Sequence, residues 1–175
     1  MGMADAQAAA DARRTLAETA ARLAAAGAPT EAVAAFEPAA RRFGIPRKAR
    51  LVPLGRVWRL GVLLLEEDGG VRATGRVTRA VPPGHPGHMA VSTEERREVR
   101  AAAHRGPFPA GSTVHYDADP IELTPEALTG ATGPLFLEDG RVQVRWSLSA
   151  SAGRDLEPYL AEREALLLDP PQGAT

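Results

Sequence analysis

The sequence of 175 residues contains no cysteine, which excludes disulfides, thiolate zinc sites, iron–sulfur clusters and cysteine nucleophiles. Lysine is nearly absent as well, because Lys48 is the single lysine among 21 basic residues. The longest run of large apolar residues, Val62 to Leu65, is far shorter than the about 20 residues that span a bilayer. The first residues also lack the basic-then-hydrophobic order of a secretory signal. We therefore expect a cytoplasmic protein without a membrane segment.

Several catalytic motifs are missing too. None of the five serines is followed three residues later by lysine, and no G-x-S-x-G occurs. The glycines form neither G-x-G-x-x-G nor a P-loop. These absences disfavour serine–lysine hydrolases and the nucleotide-dependent enzymes that use those loops. We expect no cofactor, and the balance leans against an enzyme.

The composition, 44% hydrophobic and 25% charged, is typical of an ordinary globular protein. Residues 4–26 are rich in alanine and precede Gly27-Ala28-Pro29, which predicts a helix with a thin apolar stripe. A second helix is expected to begin at Thr30 and to continue to about residue 43, because Val33 and Phe36 keep helical spacing. We expect residues 1–29 to form an N-terminal alanine-rich helix, frayed at its start, and residues 30–175 to form a single α+β domain.

Two Asp-Gly pairs predict β-hairpins with two-residue turns, because both turn positions need a positive φ. For the first, Asp68-Gly69, the expected cross-strand pairs are Glu67 with Gly70, Leu64 with Ala73, Val62 with Gly75, Leu60 with Val77 and Trp58 with Arg79. For the second, Asp139-Gly140, they are Glu138 with Arg141, Leu137 with Val142 and Leu135 with Val144. Trp58 and Trp146 are both expected on core-facing sides.

Shorter signals complete the fold prediction. Ser92 and Glu95 form a capping box at the start of a helix that runs to about Arg105. Short strands are predicted at residues 113–116 and 121–123, a helical turn at residues 124–126, and a last helix from about Asp155. The sequence thus predicts an α+β fold: an antiparallel sheet containing two Asp-Gly hairpins, packed with N-terminal, middle and C-terminal helices.

The charge is unevenly distributed along the chain. Residues 1–60 carry ten bases and five acids, whereas residues 113–175 carry four bases and eleven acids. The basic segment of residues 41–59 could contact nucleic-acid phosphates, or it could face the acidic C-terminal third or solvent. Because the net charge of the whole chain is −1, nucleic acid is the less favoured partner.

Arginines of the predicted hairpin strands suggest a binding surface. Arg72, Arg76 and Arg145 fall on the less apolar face, and Arg79 leads into a loop rich in proline and glycine. Guanidinium groups there could bind an anionic ligand or an acidic peptide, or they could serve only as solubilising charges. The leading hypothesis is a binding module whose partner is a protein or a small anionic ligand; no feature specifies an oligomeric state.

Histidines supply the competing hypothesis. His85 and His88 lie in the loop, and His115 with Asp117 would share one face of a short strand. The pair of His115 and Asp117 could perform acid–base catalysis, and all four residues together could bind a divalent metal in a small hydrolase. The spacing permits a metal site without specifying one.

Four stretches carry a resemblance to known proteins: WRLGVLLLEEDGGVRATGRVTRAV, STEERREVRAAAHRGPFPAG, GPLFLEDGRVQVRW and the closing DPPQGAT. They resemble a family of small conserved proteins from GC-rich bacteria, some of which carry the automatic label glutaminase. The resemblance spans about residues 30–175. Serine-dependent glutaminases are longer and use an S-x-x-K motif that this chain lacks, so the resemblance implies no catalytic residue.

Overall fold

The computed structural model describes residues 2–42, 44–83, 91–146 and 153–170. Its helices and its mostly antiparallel strands confirm the predicted α+β class. In chain order the elements are α1 (Met3–Ala25), β1 (Glu31–Glu37), β2 (Ala40–Arg42), β3 (Ile45–Arg47), β4 (Arg50–Leu60), β5 (Leu63–Glu66), β6 (Val71–Ala73), β7 (Arg76–Arg79), α2 (Val91–Arg105), β8 (Thr113–Tyr116), α3 (Pro125–Leu128), β9 (Leu135–Glu138), β10 (Arg141–Val144), β11 (Arg154–Asp155) and α4 (Leu156–Leu168).

The chain divides into two compact units. Unit 1 comprises Met1–Thr30, Trp58–Ala73 and Asp119–Thr175, and unit 2 comprises Glu31–Val57 and Thr74–Ala118. The border therefore falls within β4, between Val57 and Trp58. Helix α1 belongs to unit 1, and the remainder of the chain contributes to both units.

The core of unit 1 is built on α1 and α4. Helix α1 buries alanines together with Leu16 and Leu23, and small side chains allow neighbouring elements to approach closely. In α4, the hydroxyl of Tyr159 donates to the carbonyl of Leu60 and accepts from the N–H of Val62, both at 3.0 Å. This buried tyrosine therefore fixes the turn between β4 and β5.

The hairpin of β9 and β10 has the predicted register. Arg141 pairs with Glu138, and the pairing continues regularly to the end of both strands. Asp139 and Gly140 have φ values of 49° and 68°, which is the two-residue turn geometry that Asp-Gly favours. Trp146, however, is 55% exposed, so its predicted place on the core-facing side is wrong.

The hairpin of β5 and β6 differs from the prediction by one residue. Leu64 lies opposite Arg72, not Ala73, because Glu66 pairs with Gly70 across a three-residue loop. Gly69 takes the left-handed conformation with φ 87°, as in a loop that closes on a glycine bulge. In this register Leu63 and Leu65 enter the main core of unit 1, and Leu64 between them is fully buried as well.

The predicted continuation of this hairpin toward Trp58 is also wrong. Strand β4 ends at Leu60, because Gly61 turns the chain with φ 65°. Strand β7 then pairs with β8 instead of β4, which places Val77 opposite His115. Trp58 is buried as expected, and its indole N–H donates to the carbonyl of Ala28 at 3.2 Å.

The larger sheet of unit 2 has the strand order β4-β1-β8-β7, where β1 is antiparallel to β4 and parallel to β8, and β2 and β3 pair with each other separately. Helix α2 covers one face of this sheet through a narrow apolar stripe of Val99, Ala102 and Ala103. The predicted capping box involves Ser92, whose side chain lies outside the described residues.

The predicted second helix is wrong, because residues 31–37 form strand β1. The strand is hydrogen-bonded on both sides and buries Ala32, Val33 and Ala34 in succession. A strand buried on both faces has a continuous apolar run, which helical spacing cannot distinguish from a helix. Tertiary pairing therefore overrides the helix propensity of alanine.

Shorter predictions have mixed outcomes. Strand β8 and the turn of α3 lie where expected, and Thr124 caps α3 by accepting from the N–H of Ala127 at 3.2 Å. The strand predicted at residues 121–123 is absent from the described segment. An isolated bridge joins Pro120 to Arg72 there instead.

Candidate functional site

Two of the four predicted binding arginines have partners within unit 1. The Nε of Arg72 donates to the Glu66 carboxylate at 2.9 Å, and both side chains are mostly buried. Arg145 donates to the carbonyl of Gly133, and its guanidinium lies 4.3 Å from the centroid of the Phe136 ring. Both guanidiniums therefore stabilise unit 1 itself.

The other two arginines lie on β7 in unit 2. The guanidinium of Arg76 lies 5.2 Å from the centroid of the Tyr116 ring, and its Nη1 is 3.9 Å from the carboxylate of Asp117. Arg79 is exposed and forms no ion pair with the residues that the structure describes. Residues 76 and 79 point to opposite faces of the strand, as the alternation of the sequence predicts, but Arg76 belongs to unit 2 whereas Arg72 and Arg145, predicted on its face, belong to unit 1.

His115 and Asp117 do not form the predicted acid–base pair. His115 is fully buried on β8, and its Nε2 hydrogen-bonds to the carboxylate of Glu31. Asp117 lies beyond the end of the strand with φ 53°, and its side chain is exposed toward Arg76. The left-handed residue ends the alternation on which the prediction depended.

Sequence reasoning missed Glu31 as the partner of His115. The two residues are 84 positions apart and meet because β1 and β8 are parallel neighbours, with Val33 beside His115. No local spacing could indicate this contact. The Nδ1 of His115 has no hydrogen-bond partner among the described residues.

Of the four predicted metal ligands, His115 and Asp117 lie within the described residues. His85 and His88 lie outside the described residues. Within the described part, no three histidine or acidic side chains lie close enough together to hold a metal ion. His104 lies exposed in the last turn of α2.

Unit 2 carries most of the basic charge. Its residues include twelve bases and six acids, a net charge of +6, whereas unit 1 has nine bases and sixteen acids, a net charge of −7. Eleven of the twelve bases in unit 2 are arginine. The net charge of −1 for the whole chain therefore conceals two strongly and oppositely charged units.

A basic ribbon stands out in unit 2; we define it as strands β2 and β3 with the following Lys48. In its register Arg41 lies opposite Pro46, and Ala40 opposite Arg47. Every side chain of the ribbon that the structure describes is exposed, and Ile45 is 67% exposed. The ribbon contributes no residue to either hydrophobic core. Its sequence is therefore not explained by packing.

Nearby acids neutralise only part of this charge. Glu37 accepts a hydrogen bond at 2.5 Å from Arg50, which lowers the pKa of its carboxyl, and Arg47 lowers that pKa further through its charge. Arg41 and Lys48 form no hydrogen bond or ion pair with described residues. These two cations are therefore available to an external anion.

Two concave surfaces of the described structure do not suit a small anion. A shallow groove along α2 carries three carboxylates, from Glu94, Glu95 and Glu98, with Arg97 as its one base. A cleft of about 350 Å³ in unit 1 has Asp11, Asp155 and Glu157 at its edge, with Arg141 as its one base. A small anion would meet net negative charge in both places.

Comparisons with models of known protein families, with curated proteins and with solved structures found no match. No helix among the described residues is long and apolar enough to cross a membrane.

Proposed function

We propose that unit 2 is a nucleic-acid-binding module whose basic ribbon contacts the phosphate backbone. The observation that carries this proposal is the ribbon with its exposed Arg41, Arg47 and Lys48 inside a compact unit of net charge +6. Exposed cations of this kind release condensed counterions when they neutralise phosphates, and that release drives binding without regard to sequence. A cytoplasmic location, where nucleic acid is present, is part of the proposal.

The shape of the basic region favours an extended polyanion over a small ligand. The cations lie along a two-stranded ribbon, not around a cavity. The major groove of duplex DNA, about 12 Å wide, admits a two-stranded ribbon of this kind. Guanidinium forks also match phosphate oxygens in a bidentate manner, and arginine supplies nearly all of the unit's positive charge.

The net charge of −1 for the whole chain, which disfavours nucleic acid as a partner, is the sum of two oppositely charged units. Electrostatic attraction to a nearby phosphate is dominated by charges within about 10 Å at ordinary salt concentration. The local charge of the ribbon and its unit is therefore the relevant quantity.

The test is binding of a fluorescently labelled 20-base-pair duplex, followed by anisotropy at about 50 mM salt. We expect the triple variant Arg41→Gln, Arg47→Gln and Lys48→Gln to bind at least about tenfold more weakly than the unmodified protein. The matched control is Arg14→Gln, Arg141→Gln and Arg154→Gln, which removes the same charge from surface ion pairs of unit 1. It should change the affinity less than about threefold. Equal losses in the two variants, or no binding by the unmodified protein, would contradict the proposal.

A further inference from the structure

Strand β7 is an open edge of the sheet in unit 2. It is the last strand in the order β4-β1-β8-β7, and β8 is its neighbour on one side. No strand among the described residues pairs with its other side. An edge of this kind can accept an extended segment of another protein as an additional strand.

The hydrogen bonds of Ala80 show which backbone groups of β7 point outward. Its N–H donates to the carbonyl of Ser112 at 3.0 Å, and its carbonyl accepts from the N–H of Gly111 at 2.9 Å. The backbone of Ala80 therefore points toward β8. Because the direction alternates along an antiparallel strand, Thr78 also points toward β8, whereas Val77 and Arg79 point to the open edge.

The carbonyl of Arg79 is already used, since it accepts from the N–H of Val81 at 2.9 Å. The outward groups that remain are the N–H and carbonyl of Val77 and the N–H of Arg79. A neighbouring strand could satisfy all three, because it offers donors and acceptors alternately. A nucleic-acid backbone offers only acceptors to them, so it would leave the Val77 carbonyl without a donor.

The side chains of β7 indicate the chemistry of the added strand. Arg76 and Arg79 are exposed on opposite faces, and Val77 is 48% exposed on the same face as Arg79. Opposite charges directly across a strand pair are stabilising, and apolar pairs add to this. The matching segment has acids opposite Arg76 and Arg79 and an apolar residue opposite Val77.

We propose that β7 binds an acidic, extended segment of a partner protein by β-strand addition. This site is separate from the proposed contact of the basic ribbon with nucleic acid. Taken along β7 from Arg76 to Arg79, the residues opposite must be an acid, an apolar residue, any residue and an acid. Arg76 and Arg79, two of the arginines that the sequence first indicated, supply the charge recognition here.

A second copy of the chain is a poorer occupant of the same edge. In an antiparallel pair of two β7 strands, the outward residues Val77 and Arg79 of one copy face outward residues of the other, so Arg76 and Arg79 of both copies lie along one short seam where neither strand has an acid. Like charges this close together repel each other. The charges of this edge therefore favour a strand of opposite sign over self-association.

The test uses a labelled ten-residue peptide of Glu-Val-Thr repeats with the full-length protein. We expect binding by anisotropy, with the amides of Val77 and Arg79 gaining protection from hydrogen exchange and that of Thr78 unchanged. Two control peptides are expected to lose at least about tenfold in affinity. The first has Lys in place of Glu, and the second keeps the charges but carries N-methyl groups on alternate amides.

Two variants of the protein sharpen the result. Val77→Pro removes an N–H that points outward, and an edge strand tolerates proline at such a position. We expect this variant to bind the peptide at least about tenfold more weakly. Val77→Thr keeps that N–H and should change the affinity less than about threefold. The triple variant of the basic ribbon should bind the peptide as the unmodified protein does, so failure of one proposal is distinguishable from failure of the other.

Several outcomes would overturn the proposal. Equal binding of the N-methylated peptide would show attraction of charges without strand addition. Unchanged exchange at Val77, or concentration-dependent protection of Val77 in the absence of peptide, would show that an acidic segment is not the occupant.

Discussion

The two units of the chain use their arginines differently. In unit 1, eight of the nine arginines have hydrogen-bond or ion-pair partners, as Arg22 has in Glu164 and Arg72 in Glu66. In unit 2, by contrast, six exposed cations form no hydrogen bond or ion pair with the described residues. They are Arg41, Arg47, Lys48, Arg79, Arg96 and Arg100. The bases of unit 1 support its structure, whereas many of those in unit 2 are available to partners.

This difference shows why the net charge of a chain can mislead. Opposite charges in separate units cancel in a sum, but a ligand responds to the charges near it. The difference also separates two kinds of substitution. Changes to the core or to paired charges should alter stability, whereas changes to exposed bases of unit 2 should alter binding.

The largest expected effect on stability is in the core of unit 1. Leu65→Ala removes a fully buried side chain and should cost about 2–5 kcal/mol through lost burial and the cavity left behind. Ile45→Ala, in the exposed ribbon of unit 2, should cost less than about 0.5 kcal/mol. Denaturant titration gives both free energies of unfolding. Similar losses would show that the ribbon is packed.

A smaller difference is expected between two arginines. Arg72→Gln breaks a largely buried hydrogen bond to Glu66 and should cost about 1.5–3 kcal/mol. Arg79→Gln should stay within about 0.5 kcal/mol, because the side chain is exposed and unpaired in the described structure. Equal decreases in the melting temperature of the two variants would contradict this difference.

The smallest effect concerns the exposed pair of Glu37 and Arg50 in unit 2. Because the hydrogen bond from Arg50 lowers the pKa of Glu37, the pair stabilises the folded state at neutral pH. That stabilisation is lost as the pH falls below the usual carboxyl range, about 4.3, through the lowered pKa.

Unfolding of the protein and of Glu37→Gln at a series of pH values measures this effect. The difference should be small at pH 7, should vanish in acid and should shrink in about 1 M salt. A difference that grows in acid would show that the pKa of Glu37 is raised, not lowered, in the folded state.

The two Asp-Gly turns show how far sequence reasoning could reach. In the second hairpin both Asp139 and Gly140 have positive φ, so the local rule fixed the register correctly. In the first, Gly70 follows Asp68-Gly69 and a longer loop with one left-handed glycine forms. Local turn chemistry allowed both loops, and burial could not distinguish their registers, because Leu63, Leu64 and Leu65 are all fully buried.

The candidate sites were less predictable because they depend on pairing between distant segments. The run 31–37 was read as a helix, so the contact of Glu31 with His115 and the edge position of β7 could not be foreseen. The basic ribbon was visible as a charge cluster. Its exposure and its membership of a net basic unit required the fold.

The salt dependence of duplex binding tests the central claim most directly. The logarithm of the binding constant is plotted against the logarithm of salt concentration for the protein and for the triple variant Arg41→Gln, Arg47→Gln and Lys48→Gln. Each lost phosphate contact should make the slope shallower by about one, so we predict a difference of about 2–3 between the two lines. Parallel lines of equal slope would contradict the claim that the ribbon of unit 2 binds the phosphate backbone.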